Sequence, residues 1–322
     1  MALVSTVDNP APPGAVEQEI FAADGVRLRA VRWTPPSNRR GTVAVLGGRG
    51  ECIEKYFEVV ADLLGRGFAV ASVDWRGQGG SERQLRNPRK GHVDDFSHFG
   101  RDLDAFVESV LRPSCPLPWF GLCHSMGAAI LLMVDEAAHC PFERLVLTSP
   151  MIAVKGVDHR GPMRFLLGAL DALGMGAAFV PGEGSGNLWS APFEGNVLTT
   201  DPARFGRIAK LAEAAPHIFL GGPTIGWTHA AFRLMRGFDE PNFPRRLRTP
   251  MLIVASGADR VADTAAAESF AARLQTGRII VIDGAEHEIL IERDVFRNRF
   301  WAAFDKFVPG SEARVARQVV AS

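Results

Sequence analysis

The sequence is poor in features that mark several large protein classes. It has four cysteines in 322 residues, Cys52, Cys115, Cys123 and Cys140. Their spacings make neither a CxxC metal pair nor a disulfide framework, a usage that fits a reducing compartment. Charge of one sign is missing too, since 36 Lys and Arg balance 36 Asp and Glu. Proteins that grip nucleic acid carry a basic excess to neutralise phosphates, so no nucleic-acid partner is expected. No apolar run approaches the ~20 residues that span a bilayer. The first twenty residues, MALVSTVDNPAPPGAVEQEI, lack the basic start and apolar centre of a secretory leader, so the expected location is the cytoplasm. No internal repeat is present. What is there, 47% apolar and 22% charged residues, is close to the average of a globular domain.

Residues 1–16, with Asn9-Pro10, Pro12-Pro13 and Gly14 and no periodic apolar pattern, are expected to form a flexible tail. A hairpin follows. Asp24-Gly25 supplies a tight turn between Glu19–Ala22 and Val26–Trp33, where Val26, Leu28 and Ala30 alternate with Arg27 and Arg29. After Pro35-Pro36 the apolar runs no longer alternate: Val43–Leu46, Ala69–Val73, Trp119–Leu122 and Leu145–Leu147. Such runs fit strands covered on both faces, as in a parallel sheet. Between them lie helical faces, Tyr56, Val59, Val60, Leu63 and Leu64, then Phe99, Leu103, Phe106, Val107 and Val110. Strand and helix alternate, which predicts β-α-β crossovers with helices on both faces of the sheet. The rhythm breaks over 151–243, where helical stretches and Gly/Pro turns replace strands, and resumes with Met251–Val254 and Ile279–Ile282. The predicted organisation is one α/β core, 17–150 and 244–308, interrupted by a helical cap at 151–243 and closed by a polar tail at 309–322.

The chemistry concentrates at Gly121-Leu122-Cys123-His124-Ser125-Met126-Gly127. This segment joins a buried strand to a helix pattern, and a serine on that sharp turn projects its Oγ at the carboxyl edge of the sheet. Small residues must flank it because strand and helix cross closely. Gly127 satisfies this; on the other side Cys123 replaces the glycine of G-x-S-x-G. Two further polar residues leave strand ends in the order serine, acid, histidine: Asp259, after the strand ending near Val254, and His287, after the one ending at Ile282. Asp263 and Asp283 are rival acids. His287 would activate Ser125 as general base, and Asp259 would hold the imidazole's tautomer and stabilise its charged form. The glycine-rich Gly47-Gly48-Arg49-Gly50-Glu51 follows the first parallel strand. It lacks the Lys-Ser/Thr ending of a phosphate loop and the dinucleotide G-x-G-x-x-G, so it is read as backbone for an oxyanion hole, with the N–H groups of Arg49 and Met126 as donors. Asp74 and Arg76 are expected to brace loops. Glu286 and Glu288 are expected to be solvated or supporting groups, and His124 to pack.

These segments resemble the monoacylglycerol lipase and lysophospholipase L2-like branch of the α/β-hydrolases, grouped with serine aminopeptidase-like hydrolases. The resemblance rests on Gly47–Glu51 with Lys55-Tyr56, Asp74–Ser81, Gly91-His92-Val93, His124–Gly127, Asp259 with Asp263, and Glu286–Glu288. It implies the α/β-hydrolase fold, a mostly parallel central sheet with an N-terminal antiparallel hairpin, flanking helices and an inserted helical cap. It implies Ser125, Asp259 and His287 as a catalytic triad, Arg49 and Met126 as oxyanion donors, and no metal or other cofactor. The expected activity is hydrolysis of the carboxylic ester of a monoacyl lipid, a small lipid or ester substrate. Amide or peptide cleavage by the same triad and a non-catalytic ligand-binding relative are the alternatives. Gly48, His124, Phe219 and Trp227 are expected to touch substrate, and apolar cap residues such as Phe165, Leu166, Leu220 and Phe232 to line an acyl tunnel. Membrane contact would be peripheral and through the cap; oligomeric state is not legible.

Overall fold

The computed structural model describes residues 2–34 and 40–309. Eight strands form one sheet, β1 (Ala15–Phe21), β2 (Arg27–Trp33), β3 (Thr42–Leu46), β4 (Ala69–Val73), β5 (Trp119–His124), β6 (Arg144–Thr148), β7 (Met251–Ser256) and β8 (Gly277–Ile282). Their order is β1-β2-β4-β3-β5-β6-β7-β8. Only β1–β2 and β2–β4 pair antiparallel; the pairs from β4 across to β8 are parallel. This is the α/β-hydrolase architecture that the family resemblance implies. Strands β3 to β7 are apolar runs because both faces are covered, and all their residues but the first of β5 and the first of β6 are buried. The edge strand β1 alternates, and Asp24-Gly25 turns the hairpin, with Gly25 at φ 83° and Ala22 N–H donating to Val26.

Among the described residues ten α-helices surround the sheet, α1 (Phe57–Gly65), α2 (Ser97–Phe106), α3 (Arg112–Ser114), α4 (Met126–Glu136), α5 (Pro162–Leu170), α6 (Pro202–Ala214), α7 (Ile225–Asp239), α8 (Phe243–Arg246), α9 (Thr264–Ala271) and α10 (Asp294–Phe307). Helices α1 and α10 bury Val60, Leu63, Phe300 and Phe304 in the core on one face of the sheet. Helices α2, α4 and α9 contribute Phe99, Ile130 and Phe270 to the other. Between β6 and β7 lie α5 to α8, in the stretch expected as a cap. The middle of this excursion forms its own small core of Trp189, Phe205, Ile208, Leu211 and Phe219, while α7 reaches down into the main core through Phe232, Met235 and Phe238.

The N-terminal stretch differs from the flexible tail expected of it. Residues 15 and 16 already belong to β1, Asn9 is buried with its Nδ2 donating to Glu54 O at 2.9 Å, and Trp33 Nε1 donates to Pro12 O at 3.1 Å. Prolines and polar residues conceal this from a periodicity reading, because the segment is held by single hydrogen bonds and by the aperiodic apolar contacts of Leu3, Val4 and Ala11. The polar tail at 309–322 lies, apart from Pro309, outside the described residues.

Candidate active site

Strand β5 ends at His124 and α4 begins at Met126, so Ser125 carries the whole reversal, at φ 49° and ψ −111°. A non-glycine residue there is strained, and the surroundings hold it in place. Ser125 N–H donates to Thr148 O at 3.0 Å, and its carbonyl accepts from Met151 N–H at 3.1 Å. The close crossing is measurable at Gly127, where a Cβ would lie 2.5 Å from Leu46 O and 2.6 Å from Gly47 O. Cys123 lies on the α4 face of the sheet, fully buried in the same core as Ile130, Leu145 and Leu147, where its small side chain is accommodated. Burial pushes its thiol pKa well up, so it is no nucleophile.

His287 Nε2 stands 3.1 Å from Ser125 Oγ, and its Nδ1 lies 2.9 Å and 3.1 Å from the two oxygens of Asp259. The three residues, on loops after β5, β7 and β8, meet at one edge of the sheet. Asp259 Oδ1 also accepts from the N–H groups of Val261 and Ala262 at 2.8 and 2.9 Å. Burial works to raise the Asp259 pKa, but its bonds to His287 and these amides prevail and hold it below the ordinary carboxylate value. The rival acids lie elsewhere: Asp263 caps α9 through Ala266 N–H, and Asp283 is exposed.

Met126 is the first residue of α4, so its N–H has no carbonyl of its own helix to bond. Arg49 lies on the loop after β3, where Gly48 packs so close to Ser125 that a Cβ would come within 3.1 Å of the serine Cβ. That loop is braced from the side. Gln78 Nε2 donates to Gly48 O at 2.7 Å, and Trp75 Nε1 to Gly47 O at 3.0 Å. Asp74 accepts from Arg29, Gly80 and Ile53, and Arg76 pairs with Asp24 and Asp102. Both therefore brace loops as expected.

A charged cluster that the sequence does not announce lies behind the serine. Lys55, 1% exposed, donates to Glu51 Oε1 and to Glu288 Oε2, each at 2.6 Å. Tyr56 makes a short hydrogen bond to Glu51, and Gly48 N–H donates to the same carboxylate. His124 stands with Nε2 3.2 Å from Glu288 Oε2 and its ring 4.9 Å from that of His287. Burial opposes charge on His124 and on Lys55, but Glu288 and Glu51 outweigh it and raise both pKa values. Burial would raise the Glu288 pKa, yet Lys55 and His124 hold it well below normal. Glu288 is thus an ion-paired interior group, not a solvated flank of His287. Glu51, His124 and Glu288 have donor atoms close enough for a metal, but the ammonium of Lys55 already binds the two carboxylate oxygens a cation would need.

Ser125 and His287 open into a cavity of about 260 Å³ between the sheet edge and the cap, lined by Arg49, Met151, Leu188, Trp189, Leu220 and Trp227 among others. Two expected substrate contacts are elsewhere. His124 is buried in the charged cluster, and Phe219 closes the small cap core. Of the apolar cap residues, Leu220 and Trp227 reach the cavity, Phe232 fills the main core, and Phe165 and Leu166 face outward. Ser149, which sequence reasoning passed over, anchors the histidine loop by donating to His287 O at 2.8 Å. Its only sequence signal is its place just beyond the end of β6.

Residues 37–294 match the family described as Serine aminopeptidase, S33. The chain belongs to this family. Among relatives of this S33 hydrolase, lysophospholipase L2 of Escherichia coli strain K12 is 32% identical over 299 residues, covering 88% of this chain and 84% of that protein. The monoacylglycerol lipase of Mycolicibacterium smegmatis is 26% identical over 278 residues, 86% of this chain and 91% of its own. A soluble variant of the Saccharomyces cerevisiae monoglyceride lipase, in complex with a substrate analog, shares the fold at a TM-score of 0.71. It is 19% identical, with 92% of this chain and 97% of that one covered.

Proposed function

We propose that this protein hydrolyses the ester of a monoacyl lipid, a lysophospholipid or a monoacylglycerol, through an acyl-enzyme on Ser125. At the broader level the chain is a carboxylic ester hydrolase of the α/β-hydrolase fold. One observation carries the mechanism: His287 bridges the Ser125 hydroxyl at 3.1 Å and the Asp259 carboxylate at 2.9 Å. Ser125 Oγ attacks the ester carbonyl carbon while His287 Nε2 takes its proton. The tetrahedral oxyanion is stabilised by the N–H groups of Arg49 and Met126, at ~3 kcal/mol per donor. His287 then gives the proton to the departing alcohol, leaving the acyl group on Ser125. Water activated by the same imidazole attacks that acyl carbon, and Ser125 regains its proton as the fatty acid leaves.

The reading extends to the cytoplasm as location, supported by four free cysteines, three of them buried. Among the described residues no helix is long and apolar enough to cross a membrane. Contact with lipid surfaces would be peripheral and through the cap, where Phe165 and Leu173 are 66% and 77% exposed.

A fluorophosphonate probe tests the core of the proposal. It should label the wild type and not Ser125→Ala. Absence of labelling in both would favour the non-catalytic, ligand-binding relative. Because the family's description is an aminopeptidase, amide cleavage is the second reading. Anilides compared with the matching p-nitrophenyl esters decide it, and ester preference is the expected result.

A further inference from the structure

Arg49 contributes more to the cavity than the backbone N–H considered above. Arg49 lines the cavity beside Ser125, and its guanidinium lies against two other lining residues, with Cζ 5.0 Å from the centre of the Trp227 ring and Nη2 donating to Gly221 O at 3.0 Å. Its Nε is closed off from solvent and has no hydrogen-bond partner among the described residues. Every other charge facing the cavity is either matched or too far away to match it. Glu51 and Glu288 share Lys55, His287 is held by Asp259, and Glu183 lies beyond the 4.0 Å of an ion pair. A cation with a shielded, idle donor in a substrate cavity lacks its counter-ion. Burial accordingly pulls the Arg49 pKa down to about 10, with only Glu183 opposing, and the group stays charged at neutral pH.

We propose that the Arg49 side chain is a subsite for the phosphate of a lysophospholipid head group. This rests on the ester-hydrolase reading of Ser125 and chooses between its two substrate classes. The reach is suitable. In a lysophospholipid five bonds separate the ester oxygen from phosphorus, roughly 6 Å when extended, and an arginine side chain spans a similar distance from its own backbone N–H. One residue can therefore face the oxyanion with its main chain and the phosphate with its guanidinium, whose planar donors suit phosphate oxygens. The nearby Glu183 disfavours a second negative charge, so a phosphodiester with one charge fits better than a phosphomonoester.

The experiment compares 1-palmitoyl-lysophosphatidylglycerol with 1-monopalmitoylglycerol, both below their critical micelle concentrations, on the full chain. The quantity read is the ratio of their kcat/KM values, from which any effect shared by both substrates cancels. Arg49→Met should lower this ratio ~10- to 100-fold, as expected for loss of a charge-assisted bond, and Arg49→Lys should restore part of it. An unchanged ratio with both esters still hydrolysed overturns the phosphate subsite and leaves the hydrolase reading intact. Hydrolysis of neither ester by the wild type counts against the hydrolase reading instead. In that event, and if Arg49→Met fails to fold, equilibrium binding to Ser125→Ala decides the subsite. Tighter binding of the lysophospholipid, weakened by 0.5 M salt, supports it; equal binding of the two lipids overturns it.

Discussion

Replacing Lys55 by methionine keeps the length and apolar stem of the side chain and removes only the ammonium. In the wild type that ammonium lies 2.6 Å from Glu51 and 2.6 Å from Glu288, with all three groups buried. Taking away one partner of a buried ion pair leaves an uncompensated charge and costs ~3–5 kcal/mol. For a chain of this size that is a fall in Tm of roughly 4–8 °C. The pH dependence gives the sharper test. In the wild type Glu288 is held below its unfolded pKa, so its contribution is present above that unfolded value and fades as pH drops through the folded one. In Lys55→Met, burial without the cation raises the carboxylate pKa, and the sign inverts: the variant gains relative stability below the unfolded pKa and loses it as pH rises through the folded one. His124, whose folded pKa is already raised by Glu288 and Glu51 against burial, acts in the same direction, since its charge is present at low pH and lost on alkalinisation. Thermal unfolding of wild type and variant at pH 5.0 and pH 8.0 should therefore show a Tm difference that is large at the higher pH and smaller at the lower. A difference that is constant, or that widens on acidification, would refute the assignment of Lys55 as counter-ion.

Five further outcomes are expected. Ser125→Ala should abolish fluorophosphonate labelling, and Asp259→Asn should reduce kcat ~10⁴-fold with unchanged folding by circular dichroism, because the imidazole tautomer is lost. Gly127→Ala should destabilise the fold by ~1–3 kcal/mol in urea titrations, since its methyl would meet backbone oxygens of Leu46 and Gly47. Cys123→Ala should keep its labelling, as the thiol is buried away from the serine. Along a p-nitrophenyl ester series kcat/KM should rise from C2, at ~0.8 kcal/mol per buried CH₂, and level off once the chain outgrows the 260 Å³ cavity. A flat or falling profile from C2 to C12 would remove the acyl-binding role from that cavity.

Much of the sheet could be read from local pattern. Val43–Leu46, Ala69–Val73 and Met251–Val254 are apolar runs because each strand is buried on both faces, and their observed bounds differ from the runs by at most two residues. The helices of the excursion, α5, α6 and α7, fall in the 151–243 stretch where helical pattern replaces strands. Ser125, Asp259 and His287 were legible because each follows a strand, and parallel strands deliver their following loops to one edge. The N-terminal segment was not legible, since isolated hydrogen bonds such as Asn9 to Glu54 leave no periodicity.

The sequence alone determined which residues can reach the carboxyl edge of the sheet, because chain order and strand ends are local properties. It could not say which way a side chain turns at that edge. His124 and Ser125 are neighbours, yet one joins a buried ion cluster and the other faces the cavity. Glu288 looks like a solvated flank until Lys55, 233 residues earlier, is brought against it. Phe219 and Leu220 divide likewise between cap core and cavity. Such choices depend on burial and electrostatic balance among groups remote in sequence, and only the tertiary structure brings those groups within the few ångströms over which the balance is decided.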